Sequence, residues 1–422
     1  MNKIIYTVLF LLLTTVILNE KYHREIIEKF YQPKMAIPTI NSAENKTQES
    51  FFYINEIRRK SGLNVLENNQ LLNRAARNHA EYLVINNDSG HDEVQNKVGF
   101  TGISPTERAF YVGYQATVSE NIAFNSFNQK TAIDNLMTAI YHRFGFLDFQ
   151  IDEIGVGSGK IDNNSAFVFV MGNKKMEEFC RAGRQVIEQG SFVYGFCKNE
   201  KLAIRSDIFQ KIKNINSAEF IVFPNDNLNS KIYFSNETPN PVPECKITAN
   251  PISIEFNPET KPIKMLDFAV YDEAENRIKN TKILTKDTDH NKKFSEKQFA
   301  LFPLDVYDFG KTYRVEFSYI EGAREKRVEW QFQTKFPEHD YFIVENDDKI
   351  FVEKDKTYDL FFKPENCNDY LDSYQLLFPR NVKIDITNPE SNMLRIKVTG
   401  KGNARINIRT NNGKKITIFS SK

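Results

Sequence analysis

The reading of this chain turns on Ala132-Ile133-Asp134-Asn135-Leu136-Met137, followed by His142-Arg143 and then by Glu153-Ile154-Gly155-Val156-Gly157. Ile133, Leu136, Met137 and Ile140 recur at helical spacing and predict a helix from about Gln129 to His142. His142 would end that helix, where a cation interacts favourably with the helix dipole. Two short strands follow, Glu153–Gly157 and Ala166–Met171, joined by a turn at Asp162-Asn163-Asn164. Upstream, Phe51, Phe52, Ile54 and Ile57 lie on one side of a helix that Ser61-Gly62 ends. Leu72, Ala76, His79 and Leu83 form one stripe on a second helix, from about Asn69 to Ile85. Helices followed by a hairpin predict an α+β domain over 48–173.

The chain has 422 residues, which at roughly 150 residues per domain allows about three domains. Hydrophobic residues make up 41% and charged residues 26%, so wholesale disorder, collagen-like and polytopic membrane architectures are excluded. Lys and Arg number 56 against 55 Asp and Glu. A nucleic-acid binder that neutralises phosphates carries a basic excess, so no nucleic-acid partner is expected. Lys3 precedes an uncharged apolar run from Ile4 to Leu18. Residues 1–19 therefore read as a signal peptide or N-terminal membrane anchor, and the protein as exported: periplasmic, cell-surface or secreted. Residues 20–47 read as a linker and 174–245 as a connecting segment, with Pro239, Pro241 and Pro243 marking extended chain. Beyond Lys246, runs such as Ile252–Phe256, Tyr313–Tyr319 and Met393–Val398 alternate apolar and polar residues. Two β-sandwiches, 246–338 and 339–422, are the economical reading. Lys311-Thr312-Tyr313 and Lys356-Thr357-Tyr358 each open a strand and hint at related units, and the charge-rich stretch Asp287–Lys297 reads as a solvated loop.

Of six histidines, His79 lies on the apolar stripe of the second helix and reads as a core residue donating one hydrogen bond. His91 follows Gly90 in a polar loop that packing does not explain. His23, His290 and His339 carry no motif. The stretch quoted at the outset resembles the core signature of the CAP superfamily of cysteine-rich secretory, antigen 5 and pathogenesis-related proteins. Ala75-Ala76-Arg77-Asn78-His79-Ala80, Gly90-His91 and Ser119-Glu120-Asn121-Ile122 resemble further motifs of that family in the right order. Asn250–Phe256 and Trp330–Thr334 resemble an Ig-like module that follows the CAP domain in bacterial secreted proteins.

The resemblance implies an α-β-α sandwich with a cleft holding two histidines and two glutamates, which in several members bind a divalent cation. His91, Glu120 and His142 match both histidines and the first glutamate. The second glutamate has no clear counterpart; Ala139 stands where it would be sought, and Asp134 could compensate. Leu136 replaces the family's helix tryptophan. Two imidazoles and a carboxylate make a three-ligand set with an open position, for which Zn²⁺ is preferred. No HExxH and no Gly-x-Ser-x-Gly occurs in the chain. Gly155-Val156-Gly157-Ser158-Gly159-Lys160 lacks the first glycine of a phosphate loop, and Ile161 replaces its Ser/Thr. Of three possible pairings of four cysteines, Cys180–Cys197 is preferred, and Cys245–Cys367 would tie the two β domains together.

The leading expectation is a non-catalytic exported protein whose cleft binds a lipid, a cell-wall fragment or a protein. The alternatives are a metal-assisted hydrolase or peptidase with Glu120 as general base, and an envelope scaffold or adhesion protein.

Overall fold

The computed structural model describes residues 44–183, 189–235, 237–400 and 403–421. The export or anchor segment 1–19, most of the linker and His23 lie outside the described residues. Among the described residues no helix is long and apolar enough to cross a membrane.

The first domain opens with helix α1 (Glu44–Lys60), which begins inside the stretch read as linker, and the short strand β1 (Glu67–Asn68). Helix α2 (Gln70–Asn86) follows, its N-terminus capped by Asn69 accepting from the Leu71 and Leu72 amides. Then come α3 (Pro105–Tyr111), β2 (Ser119–Phe124), α4 (Gln129–Thr138), α5 (Ile140–Phe146), β3 (Glu153–Ile161), β4 (Asn164–Gly172) and α6 (Lys174–Ala182). The sheet order is β1-β3-β4-β2, with β1 parallel to β3 and the rest antiparallel.

Strand β4 supplies both cores. Val168 and Val170 face Leu72, Ala76 and Ala80 of α2, whereas Phe167, Phe169 and Met171 face Ile54 of α1 and Ile133 and Met137 of α4. The glycines of the Gly155–Gly159 run are explained by close packing, not by phosphate. A Cβ at Gly155 would lie 2.0 Å from the Leu72 backbone, and one at Gly157 2.3 Å from that of Ala76. Alternate glycines on β3 thus let α2 lie directly on the sheet.

The helix expected from Gln129 to His142 breaks at Ala139, whose ψ of 110° is extended and which serves as N-cap of α5. His142 therefore sits in the first turn of a new helix instead of the last turn of an old one. Helix α3 lies outside the helices that apolar spacing predicts, although Ser104-Pro105-Thr106-Glu107 carries its start signal: Ser104 caps the Glu107 amide, and Pro105 occupies the first turn.

After the two-residue strands β5 (Phe192–Val193) and β6 (Ile204–Arg205) and helix α7 (Ser206–Lys213), the chain is all β. Strand β7 (Phe220–Phe223) lies within the segment read as connecting, yet it pairs with β8 (Ile252–Phe256) and belongs to the first sandwich. With β9 (Ile263–Tyr271), β10 (Thr281–Leu284), β11 (Gln298–Pro303), β12 (Thr312–Glu321) and β13 (Arg324–Gln333), it builds sheets β10-β11-β8-β7 and β13-β12-β9. Ile254, Phe256, Phe268, Leu301, Val315 and Phe317 fill the space between them.

The second sandwich comprises β14 (Asp340–Val344), β15 (Asp347–Glu353), β16 (Thr357–Phe362), β17 (Tyr374–Leu377), β18 (Val382–Glu390), β19 (Met393–Gly400), β20 (Ala404–Thr410) and β21 (Lys415–Ser421). Its sheets are β14-β16-β19-β18 and β15-β21-β20-β17, closed over Leu360, Ile396, Ile408 and Ile418. The two Lys-Thr-Tyr triplets are structurally equivalent in one respect. The Tyr313 hydroxyl accepts from the Asp308 amide and the Tyr358 hydroxyl from the Glu353 amide, each at 3.1 Å and five residues upstream.

The three domains are docked. The Arg143 side chain is fully buried and donates to Met137 O (2.7 Å), Pro251 O (2.7 Å), Ser253 Oγ (3.0 Å) and Asn250 Oδ1 (2.7 Å). Burial pushes its pKa down to about 9. The stretch Asp287–Lys297 is not simply solvated: Asp289 accepts from the Tyr141 hydroxyl at 2.6 Å, and the buried Phe294 ring packs edge-on against Phe144. Disulfides join Cys180 to Cys197 and Cys245 to Cys367, across 17 and 122 residues. The second holds the entry to the first sandwich against a loop of the second sandwich.

Candidate functional site

Glu120 lies on β2 with its side chain 1% exposed. Arg108, on α3, donates to both of its oxygens at 2.9 Å, and His91 Nδ1 approaches Oε1 at 3.0 Å. Arg108 also donates to Ile103 O at 2.9 Å and stands 3.8 Å from Glu93. Glu93 in turn accepts from the Thr101 amide at 2.7 Å and contacts His79 Nδ1 at 2.9 Å. His79 Nε2 faces Gly90 O at 3.2 Å, which fixes the backbone one residue before His91. A chain of polar contacts therefore runs from His91 through Glu120, Arg108 and Glu93 to His79, and all but His91 are buried. His79 is in the core, but it meets two acceptors and anchors the His91 loop. Burial alone would raise the Glu120 pKa; the His91 hydrogen bond and the charges of Arg108 and His79 outweigh it and hold the carboxyl below its ordinary value.

His142 reaches the same cavity from the other side. The His91 and His142 rings lie 6.3 Å apart, inclined by 23°. The carboxylate that holds His142 is not Glu120 but Glu237, from the chain between β7 and β8. Glu237 Oε1 accepts from the Tyr141 amide (2.9 Å), the His142 amide (3.0 Å) and His142 Nδ1 (2.7 Å). Ala139 has no side-chain oxygen to cap α5, so a glutamate about a hundred positions downstream caps it instead. Asp134 does not compensate: it faces away from the cleft and pairs with the Tyr53 hydroxyl (2.6 Å) and Lys335 (2.9 Å).

The cavity encloses about 580 Å³. His91, His142 and Glu237 form its polar wall, and Ile122, Leu136 and Ala139 its apolar one. Tyr233 of the first sandwich and Glu390-Ser391, at the β18–β19 turn of the second, close the remaining side. The Tyr233 hydroxyl donates to Glu390 at 2.7 Å, and Lys231 lies 3.1 Å from the same carboxylate.

His91, Glu120 and His142 thus share one neighbourhood, but not as a ligand set. Among the described residues no group of three or more His, Cys, Asp or Glu is arranged to hold a metal ion. Both Glu120 oxygens are engaged by a guanidinium, so a divalent cation there would have to displace Arg108 or sit beside its charge. The arrangement does not fit the expected three-ligand Zn²⁺ site.

Residues 51–172 match the model of the cysteine-rich secretory protein (CAP) family. This segment is a CAP domain. Among solved structures, the chain is similar to an outer surface protein of Borrelia burgdorferi, at 22% identity and a TM-score of 0.28, over 32% of this chain and 98% of that one. It is also similar to an extracellular protein containing an SCP domain from Bacillus anthracis, at 24% identity and a TM-score of 0.26, over 30% of this chain and 41% of that one. The β half has Ig-like neighbours, including an I-band fragment of titin, at 14% identity, a TM-score of 0.15, and 40% of this chain against 56% of that one. No curated protein matches the chain. The CAP domain is followed by a β-rich region of several separate sheets, and the molecule as a whole is α+β.

Proposed function

We propose that this is an exported, non-catalytic binding protein whose CAP cleft holds a small ligand beneath the two β-sandwiches. The observation that carries the reading is that the cleft is built by all three domains. Tyr233, Glu237 and Glu390 are brought to it from chain far outside the CAP domain. A cavity of this volume, with an apolar wall and a few converging polar groups, suits a small-molecule occupant such as a lipid portion or a cell-wall fragment. Two disulfides and no free cysteine among the described residues suit an oxidising compartment.

The hydrolase alternative is weakened by Glu120 itself. A general base works best with a pKa near the operating pH, whereas Arg108 and His91 hold this carboxyl low and occupy its lone pairs.

The test is native mass spectrometry of protein from its own host, wild type beside Ser126→Trp at the cavity rim. The expected result is a co-purifying species on the wild type that the indole displaces. Identical spectra, with no bound mass on either protein, would overturn the reading.

A further inference from the structure

The sheet β15-β21-β20-β17 of the second sandwich contributes no residue to the cleft, and it has an outward face that its own fold does not use. Strand register places its side chains in rows. Phe351 of β15 stands beside Phe419 of β21, and Phe419 beside Arg405 of β20. The next row is Lys349, Thr417, Asn407 and Leu377, and the next Asp347, Lys415, Arg409 and Gln375.

Two features of this face need an explanation. Phe351 is 72% exposed and Leu377 62%, although inward positions such as Ile350 and Ile408 are buried. The Phe351 and Phe419 rings stack at 5.3 Å and 23°, forming one apolar platform at the end of the rows. The face is also basic: Lys349, Arg405, Arg409 and Lys415 stand against Asp347 and Glu353. Asp347 is spent on Lys415 at 3.7 Å. Lys349, Arg405 and Arg409 have no ion-pair partner among the described residues. Between aromatic and basic residues, the Thr417 hydroxyl donates to Asn407 Oδ1 at 3.0 Å, which orients the Asn407 amide and leaves its N–H groups for a ligand. A shallow groove of about 350 Å³ runs over the basic residues, Asn407 and Thr417, and Phe351 and Phe419 stand outside its lining.

We infer that this face binds an acidic polysaccharide. The apolar side of a sugar ring covers the Phe351–Phe419 platform, and its hydroxyls meet Asn407 and Thr417. Uronate carboxylates pair with Arg405, Arg409 and Lys349, since guanidinium forks match carboxylates in geometry as well as charge. The four-strand surface suits an extended chain crossing several rows, not a compact ligand. A single-stranded nucleic acid could also use bases and aromatics, but the two disulfides suit an oxidising compartment outside the cytoplasm, where a glycan is the polyanion at hand.

The inference is independent of the CAP cleft, and its test leaves the cleft untouched. The full-length protein is run in affinity electrophoresis through polygalacturonic acid, through neutral dextran and against a labelled poly-dT oligonucleotide. Retardation by polygalacturonate alone is expected, with at least tenfold weaker binding in Arg405→Ser/Arg409→Ser and in Phe351→Ser. Circular dichroism melting checks that these outward-facing variants stay folded, and Lys349→Ser serves as a milder second variant expected to weaken binding two- to fivefold. Equal retardation of wild type and the double-arginine variant would overturn the proposal. So would undiminished binding by Phe351→Ser, or binding of the oligonucleotide at least as tight as that of polygalacturonate.

Discussion

The two sides of the cleft are built on different plans. On the His91 side, Glu120, Arg108, Glu93 and His79 all come from the CAP domain and neutralise one another inside it. On the His142 side, Glu237 caps α5 from outside the domain, and Arg143, the next residue along, spends its donors on Pro251, Ser253 and Asn250 of the first sandwich. One side is a property of the domain, and the other exists only when the domains are docked. Two buried arginines mark the contrast: Arg108 meets a carboxylate, whereas Arg143 meets only neutral oxygens.

That contrast can be broken most forcefully at the arginines. Arg108→Ala leaves Glu120 and Glu93 buried without their cation, and removing one partner of a buried pair costs about 3–5 kcal/mol. The loss should fall on the CAP domain. Arg143→Ala strands several buried acceptors at about 1–3 kcal/mol each, and its loss should fall on docking. Differential scanning calorimetry distinguishes them: Arg108→Ala lowers the CAP transition, and Arg143→Ala splits a cooperative transition into separate ones. If both variants melted with the same single, shifted peak, the two sides would not differ as described.

How much of this was readable from residues alone follows the same division. Helix α2 and the β3–β4 hairpin are legible in local periodicity, and His91 and Glu120 only through the resemblance to the CAP motifs, because the contacts that fix all of them lie within one domain. The break at Ala139 left no mark in the apolar spacing, since Ile133, Leu136, Met137 and Ile140 continue a helical pattern across it. The turn is made by a distant carboxylate, and nothing around Glu237 signals that it will travel to α5. Strand β7 is not legible in the sequence, because Phe220–Phe223 is only four residues and gains its meaning from pairing with β8. Ser104-Pro105-Thr106-Glu107, by contrast, was a legible helix start that local reasoning could have found.

The electrostatics of the self-contained side give a smaller, pH-resolved effect. Glu120 has a folded pKa below its ordinary value of 4.5. Its stabilisation is therefore complete above that value and is lost as pH falls through the lowered folded pKa. Glu255 and Asp148 are shifted upward by burial and slope the other way, so the wild-type profile mixes both signs. The difference between wild type and Glu120→Gln isolates the site. Chemical denaturation should show the variant less stable at pH 7, with the gap closing below about pH 4.5. A gap that stayed constant down to pH 2 would mean that the charge of Glu120 is not what stabilises the network.

The smallest effect is expected at Glu237, where the borrowed side meets the cleft. Glu237→Gln keeps an acceptor near the Tyr141 and His142 amides but removes the charge that attracts them. A lost cap costs about 0.5–2 kcal/mol, and the helix it serves has only seven residues. The global melting temperature should therefore move little, while the His142 ring is held by a neutral acceptor in place of a carboxylate and less firmly oriented. Diethyl pyrocarbonate labelling read by peptide mass spectrometry measures this directly. His142 modification should accelerate several-fold in Glu237→Gln, with His91, still held by Glu120 on the self-contained side, reacting at its wild-type rate. If both histidines accelerated together, the two sides would be coupled through the cavity, and the division between an intrinsic and a borrowed wall would fail.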